Sequence, residues 1–394
     1  MNPRIAIIGA GPIGLEAGLA ATQRGHDVTV YEKGCIADSV RRWGHIRMFS
    51  PFVMNASAQG LGLLRGQGLP LPADDACLTG NEFVAAYLEP LARHLNVCLQ
   101  TRVKAIVREH SGKRDKIGEP GRAETPFRLL IESNGAERHA HADVILDCSG
   151  TFQNPNPLGN GGIPALGEGT ARELIRYGIG EASHIEAFTG RRVLVAGGGH
   201  SAANLIAALV ELKKREPATD IHWMVRKPGS TPCIRMPDDP LAERDRISAA
   251  ANAAAAAGEV TLHDGTTLME VRKADQHLEL VLQCNEGFQI LQVDHIVAAT
   301  GYRPDWSFAR ELHIQTCWAT EGTYPLAASL LGETGGDCLA VPVFGADTLV
   351  HPEPDFYALG MKSYGRTPDF LISTGLRQVE ALMDRLEHAW PQTR

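Results

Sequence analysis

The 394-residue sequence is short of several things. No uninterrupted apolar run reaches the roughly 18 residues that a helix needs to cross a bilayer, so no membrane partner is expected. There is no basic stripe. Asp and Glu outnumber Lys and Arg by 46 to 38, a formal net charge of −8, which argues against nucleic acid as a partner. The eight cysteines stand at 35, 77, 98, 148, 233, 284, 317 and 338, and the nearest neighbours are 21 positions apart. No C-x-x-C exists for a redox dithiol or a zinc knuckle. The 15 histidines show no H-x-x-x-H spacing, so no metal is expected. The first residues pass straight into an apolar Ile5–Ile8 pattern without a basic region or a cleavage motif, so the expected location is cytoplasmic. Isolated thiols in a reducing compartment read as buried or idle.

Glycine is abundant, at 41 residues, and it clusters. Residues 4–32 read as strand, glycine-rich turn, helix and strand, and residues 191–226 repeat that order about 190 positions later. An amphipathic helix is expected over 81–95. Strands are expected over 97–108, 126–133 and 139–147, with Ser111–Glu124 as an exposed hairpin loop. The Pro/Gly/Asn-rich stretch 152–169 reads as a crossing between domains. An alanine-rich helix over 247–257, strands near 260–263, 267–272, 277–284 and 289–299, and a last helix over about 373–389 complete the pattern. The repeated βαβ plan implies an α/β chain with two Rossmann-like nucleotide-binding domains.

The first turn is Gly9-Ala10-Gly11-Pro12-Ile13-Gly14. In this G-x-G-x-x-G, Gly9 permits the tight turn, Gly11 admits a pyrophosphate and Gly14 lets helix and strand pack closely. Pro12 opens the helix, whose free N–H groups and positive end suit phosphate. The next strand ends in Glu32, placed to accept from ribose hydroxyls, with Lys33 beside it. The second turn is Gly197-Gly198-Gly199-His200-Ser201-Ala202, with Ala202 in the third role. Its following strand ends in Arg226, not in a carboxylate, and Arg takes a 2′-phosphate through bidentate bonds. The first site is therefore read as FAD and the second as NADPH; a surface Arg beside a loosely held NADH is the other reading.

Four stretches carry a family resemblance: the first turn with Glu32; the second turn; Leu146–Phe152, which includes Gly150; and Ala298–Asp305, which includes Thr300 and Gly301. Together they resemble the two-dinucleotide-binding-domain flavoproteins. The resemblance implies an NADPH domain (161–297) inserted in an FAD domain (1–160 and 298–394). Lacking a spaced cysteine pair, the chain is more similar to flavin-containing (class B-like) monooxygenases than to disulfide reductases. Gly-His-Ser-Ala after the second turn resembles that branch, as does Trp43–Pro51, which contains His45 and Arg47. The resemblance places Asn55 near the flavin, holding an oxygen intermediate; a turn-forming Asn is the plainer reading.

In that branch, NADPH reduces FAD, O2 adds as a flavin C4a-(hydro)peroxide, and the distal oxygen passes to a small nucleophilic substrate (S, N, Se or As) or a ketone. The alternative is an NADPH-dependent reductase passing electrons to a small acceptor. A homodimer is compatible with either. The family's usual Gly-Asp is replaced by Gly360-Met361-Lys362. Gly360 would allow close backbone approach, and Lys362, with Tyr364 and Arg366, would meet an anionic substrate or a flavin phosphate, unless the turn is simply solvated. His45 and His351 are candidate proton donors on irregular segments.

Overall fold

A computed structural model describes residues 2–275, 277–332, 345–368 and 370–390; Cys338 lies outside them. The chain divides into two compact units. The first is Met1–Arg41, Ser50–Asn154 and Arg303–Arg394; the second is Arg42–Phe49 and Pro155–Tyr302.

In the first unit, β1 (Arg4–Ile8), β2 (Asp27–Tyr31), β3 (Val97–Cys98), β7 (Val144–Asp147) and β16 (Phe356–Ala358) form a parallel sheet in the order β16-β7-β1-β2-β3. A small antiparallel sheet joins β4 (Thr101–Arg108), β5 (Phe127–Ser133) and β6 (Ala136–Ala142). The second unit repeats the plan. Its parallel sheet joins β8 (Ile175–Tyr177), β9 (Arg192–Ala196), β10 (Asp220–Met224), β11 (Thr261–His263) and β15 (His295–Ala298), in the order β11-β10-β9-β15-β8. Its antiparallel sheet joins β12 (Thr267–Ala274), β13 (His277–Cys284) and β14 (Gly287–Val293). The inner strands β1, β7, β9 and β15 are mostly apolar and buried, as covering both faces of a parallel sheet requires.

The duplication reaches single residues. The segments expected as continuous strands over 139–147 and 289–299 each break, at Asp143 and Asp294, where the chain leaves the antiparallel sheet for the parallel one. Asp143 Oδ2 accepts from the backbone N–H of Arg4 at 2.8 Å, and its N–H donates to Arg4 O. Asp294 makes the same pair with Arg192, again at 2.8 Å. Strand-forming residues resume directly after each aspartate, so the pattern alone hides the corner.

Three further segments differ from expectation. Residues 42–49 belong to the second unit although the sequence placed them in the first domain. Trp43, Ile46 and Phe49 pack on the buried core of the second unit, and the Phe49 ring meets His200 edge-on at 5.5 Å. The expected loop 111–124 is mostly exposed, but Arg122 within it is fully buried. The expected helix over 81–95 runs from Gly80 to Ala92 with one widened turn at Val84–Leu88, ahead of Pro90, which has no N–H to donate.

Candidate cofactor sites

The three glycines of the first turn do three different things. Gly9 has φ +100°, and a Cβ there would lie 2.8 Å from Cys148 O. At Gly14 a Cβ would lie 1.9 Å from Gly9 O. Gly11 is unlike both. Its backbone is extended (φ −80°, ψ −176°), which any residue adopts, and a Cβ there would meet no atom within 4 Å. Nothing in the fold requires glycine at 11, yet the space it opens is kept clear beside a helix N-terminus.

The helix Pro12–Gln23 has no side-chain cap, and neither has the helix Ile372–Ala389. Ile13 wedges between them: a Cβ at Gly375 would lie 2.4 Å from Ile13 Cδ1, and one at Gly360 3.2 Å from Ile13 Cγ1. Two uncapped, positive helix ends therefore converge beside the open space at Gly11, an arrangement suited to a pyrophosphate. Glu32 is buried at the end of β2 and pins the turn, accepting from Ala10 N–H at 2.8 Å and Gly34 N–H at 2.7 Å. Each of its oxygens keeps a lone pair for a ribose hydroxyl. Lys33 is exposed beside it. Gly150 takes φ +69°, and a Cβ there would also meet nothing.

The second turn follows the same design. Gly197 (φ +133°) abuts Ala299 O, 2.2 Å from where its Cβ would stand, and Trp223 Nε1 donates to Gly197 O at 2.7 Å. Gly199 is extended (φ −98°, ψ 179°) with nothing within 4 Å of a Cβ. The helix His200–Arg215 starts there without a side-chain cap; Ser201 is half-buried and Ala202 lies in the core. Burial and the Arg244 guanidinium hold His200 below the ordinary histidine range, so its ring is neutral at neutral pH. Arg226 is exposed beyond β10. In the same unit, Asn156 brackets Thr300 and Gly301: its N–H donates to Gly301 O at 2.9 Å, and its carbonyl accepts from Thr300 Oγ1 at 2.7 Å.

Several expected site residues have other employment. Lys362 is no anion receptor. It is fully buried, paired with Asp147 at 2.5 Å, and donates to Ser149 Oγ at 3.1 Å and Asp305 O at 2.7 Å, beneath the Trp306 and Phe308 rings. These three partners match the three donors of its ammonium. Tyr364 is buried, and Arg366 pairs with Glu321 at 3.0 Å. Asn55 closes its own turn: Nδ2 donates to Ser50 O (3.2 Å) and Pro51 O (3.0 Å), and Oδ1 accepts from Ser50 Oγ (2.9 Å). Buried, with both N–H groups engaged, it has no donor to offer an oxygen species. His45 and Arg47 are exposed and belong to the second unit, not to the one that holds the first cradle.

His351 is buried between Trp306 and Phe356, both rings edge-on at 5.7 Å, and its Nδ1 accepts from Gln315 N–H at 3.2 Å. Its Nε2 has no hydrogen-bond partner. Burial lowers its pKa to about 4, so it is neutral and a poor acid at neutral pH. The unfolded chain binds this proton more readily, so the stability is complete above the unfolded value of about 6.5 and falls as pH drops towards 4. Between neutrality and about pH 5 the loss amounts to about 2 kcal/mol. His351→Phe, which keeps the ring packing, is expected to flatten this part of the urea-unfolding pH profile. An unchanged profile would assign the acid lability elsewhere.

The sequence reading missed Asp147 and Ser149 as partners of Lys362, and Gln378, whose Oε1 accepts from Gly360 N–H at 2.8 Å and holds that residue at φ +69°. Gln378 carried a faint signal, a polar residue on the buried face of the last helix. Among the described residues, no group of three or more His, Cys, Asp or Glu side chains is placed to hold a metal, and no helix is long and apolar enough to cross a membrane.

Two glycine cradles on two Rossmann-like sheets, one unit inserted in the other's sequence, define an oxidoreductase with two dinucleotide-binding domains. The chain belongs to the pyridine nucleotide-disulphide oxidoreductase family, whose model matches residues 3–321. Flavin-containing monooxygenase 1 of Rattus norvegicus is 25% identical over 227 residues, which is 55% of this chain but 39% of that protein. The chain thus spans about two-fifths of the curated relative it matches. Among solved structures, the bacillithiol disulfide reductase of Bacillus cereus superposes with TM-score 0.72 at 19% identity, covering 99% of this chain and 100% of that one. The ornithine N-hydroxylase of Kutzneria sp. 744 does so with TM-score 0.65 at 17% identity, covering 99% and 100%. The family implies a bound flavin and a pyridine nucleotide, and the open positions at Gly11 and Gly199 fit them.

Proposed function

We propose that this protein is an FAD-dependent, NADPH-consuming monooxygenase acting on a small nucleophilic substrate at sulfur, nitrogen, selenium or trivalent arsenic. The observation that carries the reading is a pair of open dinucleotide cradles in a sequence that holds no C-x-x-C pair to relay electrons to a disulfide. Cys35 and Cys148, the thiols nearest the first cradle, are both held above the ordinary cysteine range by burial, and the adjacent carboxylates Asp38 and Asp147 add to the effect. The similarity to flavin-containing monooxygenases supports the same reading. The flavin, when bound, accepts hydride from NADPH and in reduced form reacts with O2.

The residues bind and orient. Gly11 admits the pyrophosphate of FAD between the two helix ends, and Glu32 receives the ribose hydroxyls. Gly199 admits the pyrophosphate of NADPH, and Arg226 meets its 2′-phosphate. Overall, NADPH, a proton, O2 and the substrate give NADP⁺, water and the oxygenated product. The second reading is a reductase delivering electrons to a small acceptor, and the engagement of both Asn55 N–H groups within its own turn favours it.

The discriminating experiment supplies NADPH, isotopically heavy O2 and a panel of sulfide, amine, selenide and arsenite substrates to the FAD-loaded protein. Heavy oxygen in a product, at one atom per NADPH consumed, supports the monooxygenase. NADPH oxidation with all oxygen released as hydrogen peroxide, accelerated instead by quinone or other small acceptors, supports the reductase.

A further inference from the structure

Helix Ala242–Ala256 is rich in alanine, and Asn252 stands on its buried face. Asparagine is a poorer helix former than alanine, and a buried amide is costly unless both its ends are bonded. Both ends of Asn252 bond to one distant residue. Its Oδ1 accepts from Cys233 N–H at 3.0 Å, and its Nδ2 donates to Cys233 O at 2.8 Å. The side chain thus pairs with Cys233 as a neighbouring strand would, and it does so in the middle of a long loop.

That loop leaves β10 at Val225. Its start is tied to the chain beyond β11: Thr266 N–H donates to Val225 O at 3.0 Å, and Gly229 N–H to Asp264 Oδ2 at 2.7 Å. Its far end is tied to the same helix by Arg235 and Asp245, at 2.8 and 2.7 Å. Between these ties the loop crosses the second glycine turn. Pro232 O lies 2.8 Å from where a Cβ of Gly198 would stand, and Cys233 Sγ lies 3.8 Å from Gly199 O. The exposed polar side chains along 226–231 are Arg226, Lys227, Ser230 and Thr231, two cations and two hydroxyls. That set suits a phosphate monoester.

We infer that Asn252 is a positioning residue for NADPH. By clamping Cys233 it sets how the 230–232 span lies over the glycine turn, and so where Ser230 and Thr231 stand to meet the 2′-phosphate beside Arg226, which the ties at Val225 and Gly229 already hold. Asn252 touches no nucleotide itself. The inference rests on the NADPH reading of the second site and deepens it.

The test is calorimetric binding of NADP⁺ and NAD⁺ to the FAD-loaded protein, with steady-state kinetics on NADPH. In Asn252→Ala, NADP⁺ is expected to bind about tenfold more weakly and NAD⁺ within about twofold of wild type. KM for NADPH should rise with kcat little changed. Asn252→Ser, whose hydroxyl keeps a polar group on the buried face but cannot bond both ends of Cys233, should fall between, and it remains informative if the alanine variant does not fold. Equal weakening of both nucleotides, or none, overturns the inference. Arg226→Ala separates the two levels. If it abolishes the preference for NADP⁺ while Asn252→Ala does not, the NADPH reading stands and the inference fails. If wild type shows no preference for NADP⁺, the NADPH reading fails and takes the inference with it.

Discussion

Gly11→Val is expected to leave the fold intact and to strip the protein of its flavin. The extended backbone at Gly11 tolerates a β-branched residue, and the added atoms meet no protein atom within reach of a Cβ. Removing a glycine from such a position narrows the unfolded ensemble, so the apo-protein should melt at or slightly above the wild-type temperature. The valine methyl groups would fill the space against which a pyrophosphate has to lie. Flavin affinity should fall at least about 100-fold, about 3 kcal/mol, so the purified variant should be colourless. Gly199→Val is the matched case in the second unit. It should keep the yellow flavin and lose reduction by pyridine nucleotide under anaerobic conditions. The crossed outcomes would reassign the cofactors: a colourless Gly199→Val, or a Gly11→Val that retains flavin. The neighbours Gly9 and Gly14 cannot be used this way, because a Cβ at either one strikes backbone oxygen and disturbs the fold itself.

The largest stability effect is expected at Glu353. Its carboxylate is fully buried between Arg108 and Arg122, also buried, and it accepts from Arg108 Nε at 2.9 Å, from Arg122 Nη2 at 2.8 Å and from His313 N–H at 2.9 Å. Arg122 also donates to Gly112 O and Asp115 O, and Arg108 to Thr125 O and Pro354 O. One carboxylate therefore holds the 109–126 loop, β4 and the approach to β16 together. Burial alone would raise its pKa, but the two guanidinium groups and the His313 N–H hold it below the ordinary glutamate range. Its contribution is present above the unfolded value and is lost as pH falls through the lower folded one.

Glu353→Ala strips the buried Arg122 of its counter-charge and leaves Arg108 only Asp355, 3.8 Å away, so about 3–5 kcal/mol of unfolding free energy should disappear in urea titrations. Replacing the charges together, as in Arg122→Met with Glu353→Met, should cost less than Glu353→Ala alone, because no buried charge of Arg122 is then stranded. A Glu353→Ala variant within about 0.5 kcal/mol of wild type would show that water reaches the cluster and screens it.

The chain's two-fold plan was legible because it is written locally. A strand, a glycine turn and a helix are contiguous in sequence, and the terminal residues Glu32 and Arg226 sit at fixed distances from their turns. Hydrophobic periodicity also found the last helix to within a residue of its start, and the alanine-rich helix with a start five residues late. What the sequence could not show is where polar side chains end up, since that depends on partners far along the chain. Lys362 read as a phosphate-binding cation on a glycine-rich turn, but it is buried by Asp147, 215 positions earlier. Asn55 read as a residue facing oxygen, but Ser50 and Pro51 take both its N–H groups. Arg122 looked like surface charge until Glu353, 231 positions on, paired with it. Asn252 looked like one more residue of a helix until Cys233 was found across from it.

The sequence by itself determined that this protein has two dinucleotide-binding units, because each glycine turn encodes its own geometry within a few residues. Only the tertiary structure decided which charged and amide groups remain available to a ligand. A buried polar group is committed to whichever partner the fold delivers, and those partners come from long-range contacts that no local pattern specifies.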